Sequence, residues 1–400
     1  MGYKVLVTKI YKDKKCYIAT ALYQGQTLLE IHLDSMEEQS ILGNIYVGRV
    51  KDIVKNLNAA FIEIAPGTPC YYSLETLKRP LYVKKINSPH LVQGDEVVVQ
   101  VIRESSGSKP PKVSTNLNFT GKYLALTSEN TVLGISRKLD PEMREKLRKN
   151  LKFDKQQEFG VIVRTNAASA STEEIMEEYE KLKQEYFSIK NTAVYRTAFS
   201  CLRQGEPEYL RALQDLNPEQ VDGILTDDLQ LFQQLNQYFS RIDEKLKSKF
   251  TFYEDELLSL SKLYSLEIRL KEALQERVWM KSGGYLVIQP TEALTVIDVN
   301  SGKSIAKKRA AEHYLKINLE AAEEIAHQLR LRNLSGIIIV DFIDMESEEH
   351  NQALMQALRE SVRTDSVPVQ VVDMTGLHLV EITRKKVKKS LAEQLCGSHK

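Results

Sequence analysis

Residues 294–301 read Leu-Thr-Val-Ile-Asp-Val-Asn-Ser. A run of β-favouring apolar residues leads into Asp298, with Asn300 two positions on, so both polar side chains leave one face at the end of a buried strand. The pattern turns helical from about Ile305 to Arg332. Ser335-Gly336-Ile337-Ile338-Ile339-Val340 then reads as a second apolar strand and runs into Asp341-Phe342-Ile343-Asp344. A strand, a helix and a strand joined in this way form neighbouring parallel strands with a right-handed crossover, and their C-terminal ends lie side by side. Asp298 and Asp341 are therefore expected in one crevice.

Two carboxylates that close repel each other, and a divalent cation relieves the repulsion. Oxygen ligands alone, few in number and with no histidine or cysteine beside them, suit magnesium, which keeps several waters and shares its shell with substrate phosphate. The chemistry implied is metal-assisted attack on a phosphodiester, with Asn300 bonding a ligand carboxylate or the phosphate. Either aspartate taken alone is more often a turn or helix-cap residue; it is the repetition on both sides of one helix that points to a metal. The neighbouring Ser301-Gly302-Lys303-Ser304 imitates the tail of a nucleotide-binding P-loop. That loop needs a glycine five residues before Gly302, where this chain has Ile297, so no such site is expected. Lys303 remains a candidate contact for substrate phosphate.

The chain has 400 residues, 42% hydrophobic and 27% charged, which fits a soluble globular protein of roughly two to four domains. Its formal net charge is only +1, so any nucleic-acid footprint has to come from local clustering. Cys16, Cys70, Cys201 and Cys396 have no paired spacing, against both a disulfide framework and a four-cysteine zinc site. No apolar run is long enough for a bilayer and no signal-peptide core is visible, so a reducing cytoplasm is the expected location.

Taken in order, residues 1–37 show short alternating strands that need partners elsewhere, being too few to bury a core alone. Gly43-Asn44-Ile45-Tyr46-Val47-Gly48-Arg49-Val50, Leu57 to Ile64 and Gly94 to Val101 then alternate between turn residues, as in a small closed barrel of the OB type. Such barrels bind single strands by stacking bases on aromatics. Phe61 and Tyr71 are the candidates, with Lys109 as phosphate partner; the alternative for Phe61 is plain barrel core. Downstream, Asp140-Pro141 opens a charged helix, and Gly160-Val161-Ile162-Val163 forms a short strand that delivers Arg164 and Thr165. An Arg-Thr pair there can clamp a terminal phosphate, although an arginine so placed also serves as a surface ion-pair partner. From Ser171 an amphipathic helix carries Ile175, Tyr179, Leu182, Tyr186 and Ile189 toward a core. A long helical stretch is expected from Glu254 to Val278, and a basic helix bearing Arg384, Lys385, Lys386, Lys388 and Lys389 near the end, a solvated face or an RNA-backbone contact.

Several of these motifs, in this order, resemble the catalytic region of the bacterial ribonuclease E/G family over nearly the whole chain. They are Gly-Asn-Ile-Tyr-Val-Gly-Arg-Val and Ala-Ala-Phe-Ile in the barrel, Val-Arg-Thr at 163–165, Gly-Gly-Tyr-Leu-Val-Ile at 283–288, Val-Ile-Asp-Val-Asn-Ser-Gly and Ile-Val-Asp-Phe-Ile-Asp-Met. The short length is more like the G branch. The resemblance implies an α/β multidomain fold: an RNase H-like element (1–37 and 212–278), interrupted by an OB-type, S-one-type RNA-binding barrel (38–118) and a 5′-sensor subdomain (119–211). A DNase I-like α/β catalytic subdomain (279–390) and a tail (391–400) follow. It further implies a magnesium-dependent endoribonuclease that cuts single-stranded A/U-rich RNA, favours 5′-monophosphorylated ends, and works in mRNA decay or rRNA processing. By motif, Asp298 and Asp341 match the magnesium ligands and Asn300 their support. Arg164 and Thr165 match the phosphate clamp, with Gly121 and Ala125 in the same pocket, and Phe61, Tyr71 and Lys109 match barrel residues that hold RNA near the cut. The N-terminal strands are expected to pair with elements around 223–275.

Three departures stand out. The family's Cys-Pro-x-Cys element, which shares zinc between two subunits, is replaced by Cys396-Gly-Ser-His399, against a zinc-linked dimer but not against a homodimer packed through the catalytic subdomain. The helix after Ser171 lacks the usual tryptophan and carries Tyr186-Phe187, and Tyr71 and Pro110 stand where phenylalanine and glycine are usual. A rival from another class is a non-catalytic RNA-binding or translation-regulating protein that uses the barrel alone; the intact acidic set speaks against it.

Overall fold

Val5, Leu6 and Val7 are apolar in succession, which suits a strand covered on both faces. In the computed structural model, the strand Tyr3–Lys12 lies inside a five-stranded sheet, antiparallel to Lys15–Gln24, which in turn pairs with Thr27–Ser35. On its other side it runs parallel to Val221–Thr226, with Val5 opposite Ile224, and Phe250–Phe252 closes that edge. The N-terminal strands thus find the expected partner far along the chain. The structure describes residues 2–37, 40–76, 80–86, 88–105, 109–153, 158–255, 257–302 and 310–396, with backbone alone at 241, 310 and 396. Two compact units result, one from the N-terminal strands and the chain from Glu219 onward, the other from Glu38–Pro218.

The second unit contains the barrel. Ile45–Val54, Ala59–Ala65, Thr68–Ser73, Lys112–Ser114 and Glu96–Arg103 pair in that order, and Glu96–Arg103 returns to Ile45–Val54, closing a five-stranded ring. Closure removes free edges, and the interior is filled by side chains such as Val50, Ile62, Tyr72, Val97 and Val99. A four-stranded sheet follows, with Leu124–Thr127 and Gly160–Val163 at its centre. The helix Thr172–Ala193 begins with a capping box between Ser171 and Glu174 and buries Ile175, Tyr179, Leu182, Tyr186 and Ile189. Its aromatic residues are core: Phe159 meets both Tyr179 and Tyr186.

The six-stranded sheet of the first unit has the order Arg277–Trp279, Tyr285–Pro290, Leu294–Asn300, Gly336–Asp341, Leu379–Arg384, Val369–Met374. Its central pair is parallel, with the helix Ala310–Leu331 in the crossover. Leu286, Ile297, Val299, Ile338, Val340 and Ile382 share one core with Ile317, Ala321 and Ile325 of that helix and Leu354 and Leu358 of the helix Glu348–Ser361. The opposite face is open, since Ile337 keeps 51% of its surface and Val296 is exposed too. The strand expected to be buried is therefore covered on one face only.

Two helical expectations are corrected. The stretch 254–278 holds two short helices, Leu260–Leu263 and Leu266–Glu272, then the strand Arg277–Trp279. Ser265 between them has φ +52, a left-handed conformation that interrupts a continuous helix. The basic helix is absent: Arg384 ends a strand and is buried, and residues 385–390 connect it to the helix Leu391–Cys396. Lys303 and His399 lie outside the described residues, as does the side chain of Cys396.

The crossover helix is tied to the N-terminal sheet through Arg330, whose Nε donates to Glu30. Burial pushes the Glu30 carboxyl up, but His32 and Arg330 together carry it from 4.5 down to about 2. Between those values the unfolded chain holds the proton and the folded chain does not, so the stability contributed above 4.5 is lost as pH falls toward 2. Glu30→Gln is expected to be less stable than the parent at neutral pH and to converge with it at the acid end of that window, read from urea midpoints. A stability difference that stays constant with pH would contradict this linkage.

Candidate active site

Along Leu294–Asn300, Thr295, Ile297 and Val299 turn into the core, so Val296, Asp298 and Asn300 occupy the open face. In Gly336–Asp341 the buried residues are Ile338 and Val340, which puts Asp341 on that same face. Asp298 and Asp341 are register partners on adjacent parallel strands, which lie about 4.8 Å apart in any sheet. The Asn300 Nδ2 donates to Asp298 Oδ2 at 2.7 Å and fixes one carboxylate while leaving its second oxygen for another partner. Asp341 is pushed above the usual carboxylate range, first by loss of water around it, then by the charges of Asp298 and Asp344. Asp344 was not singled out from the sequence, although it stands only three residues away.

The backbone around the pair is held from behind. Gly302 has φ +68, and a Cβ there would sit 2.4 Å from the Gly283 carbonyl oxygen; a Cβ on Gly284 would sit 2.8 Å from that of Asn300. The glycines at 283, 284 and 302 thus let the Ser282-Gly283-Gly284 turn lie against the end of the Asp298 strand. Glu320 of the crossover helix accepts from the N–H groups of Lys281 and Ser282 and pins that turn. On the other side Asn318, fully buried, donates through Nδ2 to the Ile343 carbonyl at 2.8 Å and accepts the Ile343 N–H at 3.1 Å. That two-point grip sets the chain just after Asp341. Sequence reasoning missed it because Asn318 lies in a helix that reads only as amphipathic and its partner stands 25 positions on, beyond the next strand.

Among the described residues no group of three or more His, Cys, Asp or Glu is arranged to hold a metal. The available donor set is two facing carboxylates with a supporting amide. Such a set fits magnesium, which is bound through one or two carboxylates and completes its octahedral shell with water and phosphate.

The other sequence-predicted groups fall in the second unit. Arg164 donates from Nη1 to the Gly121 carbonyl at 2.6 Å and from Nη2 to Asp215 at 2.8 Å. Thr165 is exposed, its hydroxyl 3.1 Å from that of Ser136, and Ala125 pairs across the sheet with Ile162. Gly121 and Arg164 are therefore in direct contact. The successive N–H groups of Lys122, Tyr123 and Leu124 form an anion nest already filled by the Glu178 carboxylate, at 2.5, 2.7 and 2.8 Å. Burial raises Glu178 even though the three amides and Arg164 oppose it. A Cβ on Gly121 would sit 2.4 Å from that carboxyl, so it is Glu178 that requires glycine at 121. Glu178 and Asp215 were not identified from the sequence, being 54 and 51 residues from the loop and arginine they serve.

On the barrel, Phe61 and Tyr71 are cross-strand partners, ring centroids 6.5 Å apart and edge to face. Both are half-buried and stand outside the barrel interior. Lys109 is exposed. It is Lys112, register partner of Tyr71, that places its Nζ over that ring, 5.8 Å from the centroid.

The ribonuclease E/G family model matches residues 118–387. Ribonuclease G of Haemophilus influenzae is 32% identical over 390 residues, covering 94% of this chain and 79% of that protein. Ribonuclease G of Escherichia coli K12 is 30% identical over 395 residues with the same coverage. Ribonuclease E of Haemophilus influenzae is 31% identical over 399 residues, covering 98% of this chain and 42% of that protein. The chain belongs to the ribonuclease E/G family and is an endoribonuclease. Among the described residues no helix is long and apolar enough to cross a membrane.

Proposed function

We propose that Asp298 and Asp341 hold a magnesium ion and that the site cuts single-stranded, A/U-rich RNA internally, with preference for a 5′-monophosphorylated end. One observation carries the catalytic part: two aspartates face each other in register on parallel strands, on an open sheet face, with Asn300 bonded to one of them. When bound, magnesium supplies charge neutralisation on the phosphoryl oxygens and a more acidic water for the attack. The protein's own part is orientation. Asn300 fixes the Asp298 carboxylate, and Asn318 fixes the chain after Asp341. The concentrated negative charge of Asp298, Asp341 and Asp344 keeps the site electrostatically unfinished until a cation enters.

The substrate preferences rest on the family's motifs at matching positions. Arg164 and Thr165, with Gly121 and Ala125, form the 5′-phosphate site; Phe61, Tyr71 and Lys109 hold the strand on the barrel. The domain division follows the same motifs: RNase H-like element at 1–37 and 212–278, barrel at 38–118, 5′ sensor at 119–211, DNase I-like catalytic part at 279–390, tail at 391–400. The enzyme acts in cytoplasmic RNA processing and decay, as a homodimer through its catalytic part.

The pairing of Arg164 with Asp215 supports the sensor. Asp215 is 59% exposed, and an ion pair in that setting is worth only ~0–1 kcal/mol, so a phosphate of higher charge displaces it at little cost. Arg164→Ala is expected to erase the rate advantage of 5′-monophosphorylated over 5′-hydroxyl RNA and to leave cutting of the hydroxyl form near its parental rate. Matched single-turnover rates on both substrates check it, and equal loss on both would remove Arg164 from the sensor.

A further inference from the structure

The edge of the catalytic sheet carries a feature that the carboxylate site does not use. The sequence has a single tryptophan, Trp279, and the edge strand Arg277–Trp279 leaves it 64% exposed. Trp279 is register partner to Tyr285, and Tyr285 is register partner to Asn300. Leu286 and Ile288 face the core, so Tyr285 and Trp279 stand on the open face together with Asp298 and Asn300. Their ring centroids are 5.1 Å apart at 54°. The Arg277 guanidinium covers both rings, 4.6 Å from the Tyr285 centroid and 5.7 Å from that of Trp279.

We propose that Trp279, backed by Tyr285 and Arg277, is a nucleobase-stacking subsite that holds one base of the RNA strand beside the phosphate engaged at Asp298 and Asp341. This rests on the assignment of those carboxylates as the cleavage site. An indole two strands from the catalytic strand is about 10 Å away, within the span of a nucleotide or two. Any base offers a π-face, so stacking tolerates sequence, and an arginine beside the ring adds attraction for the phosphates that flank the base. Tyr285 and Arg277 brace the indole from one side, which leaves the other ready to receive a base without first paying for order. The cross-strand partner of Trp279 is Tyr285, the Arg277 guanidinium lies over both rings, and Asn300 follows beyond Tyr285, so a cation and polar groups flank the indole, which favours a negatively charged strand as occupant.

The test uses the 400-residue chain, whose tryptophan fluorescence comes from Trp279 alone. A short single-stranded A/U-rich RNA is titrated in chelator, and binding is followed in parallel by anisotropy of an end label. Quenching that saturates with the anisotropy, and is lost when one nucleotide next to the cut phosphate is made abasic, is the expected result. Trp279→Ala should weaken binding about tenfold and raise KM more than it lowers kcat, with Trp279→Phe retaining most of the affinity. RNA that binds and is cut with unchanged fluorescence, or an unaltered KM in Trp279→Ala, would overturn the subsite while the cleavage site stands. Fluorescence that follows protein concentration without RNA would assign the face to a second copy of the chain and also overturn it. Absence of magnesium-dependent cutting by the parent protein would instead sink the cleavage-site assignment beneath it.

Discussion

Asp298→Asn and Asp341→Asn are each expected to reduce cleavage by about a thousandfold or more, equivalent to ~4 kcal/mol of transition-state stabilisation, while RNA binding stays near the parental level. The asparagine keeps shape and hydrogen bonding but removes the charge on which a cation depends. Stability should not fall with activity. Asp341 is raised first by loss of water around it and then by the charges of Asp298 and Asp344, and removing the charge of Asp298 or of Asp341 relieves that repulsion in the folded state. Loss of cutting at an unchanged or higher melting temperature therefore separates a catalytic role from a structural one. A structural aspartate at a turn or cap would show the reverse, lower stability with activity largely kept.

Arg384→Met is expected to lower stability by about 3–5 kcal/mol. Arg384 is 3% exposed and its partner Asp365 5%. Arg384 Nε and Nη2 donate to the two oxygens of Asp365 at 2.8 and 3.2 Å, and Nη1 donates to Asn333 Oδ1 and to the Leu334 carbonyl at 2.6 and 3.0 Å. Methionine fills the volume but leaves a carboxylate buried without its cation, together with an amide and a carbonyl that lose a donor. Urea unfolding of the variant checks the size of the effect, and adding Asp365→Leu should recover much of it. A cost below about 1 kcal/mol would mean the pair is solvated in solution, as an exposed ion pair is.

Arg384 also shows where sequence reading fails. In the chain it heads a run of cations and looks like part of a basic face; in the fold it belongs with Asp365, 19 positions earlier, and no local pattern carries that pairing. The two strands of the candidate site were legible because an apolar run leads into an aspartate in each, and the strand-helix-strand order dictates parallel neighbours. Their open face was not, because Ile337, Ile338 and Ile339 are apolar on both faces and period-two alternation vanishes from the sequence. The helical pattern at 254–278 concealed a break at Ser265, where a non-glycine residue takes a left-handed conformation that nothing in its side chain announces. In the candidate site, residues set on strand ends were readable. Those that act across the fold, such as Asn318 and Glu178, were not, since each works through the backbone of a distant loop. The Lys112 ammonium over the Tyr71 ring was not legible, because its place there depends on barrel register.

Cutting of a short single-stranded A/U-rich RNA by the parent protein, Asp298→Asn and Asp341→Asn, each with magnesium and with chelator, is the measurement that bears most directly on this enzyme. Internal cuts by the parent that appear with magnesium, stop in chelator and are absent in both variants are the predicted result. Cuts that persist in chelator, or in either variant at the parental rate, would contradict a magnesium site built from Asp298 and Asp341.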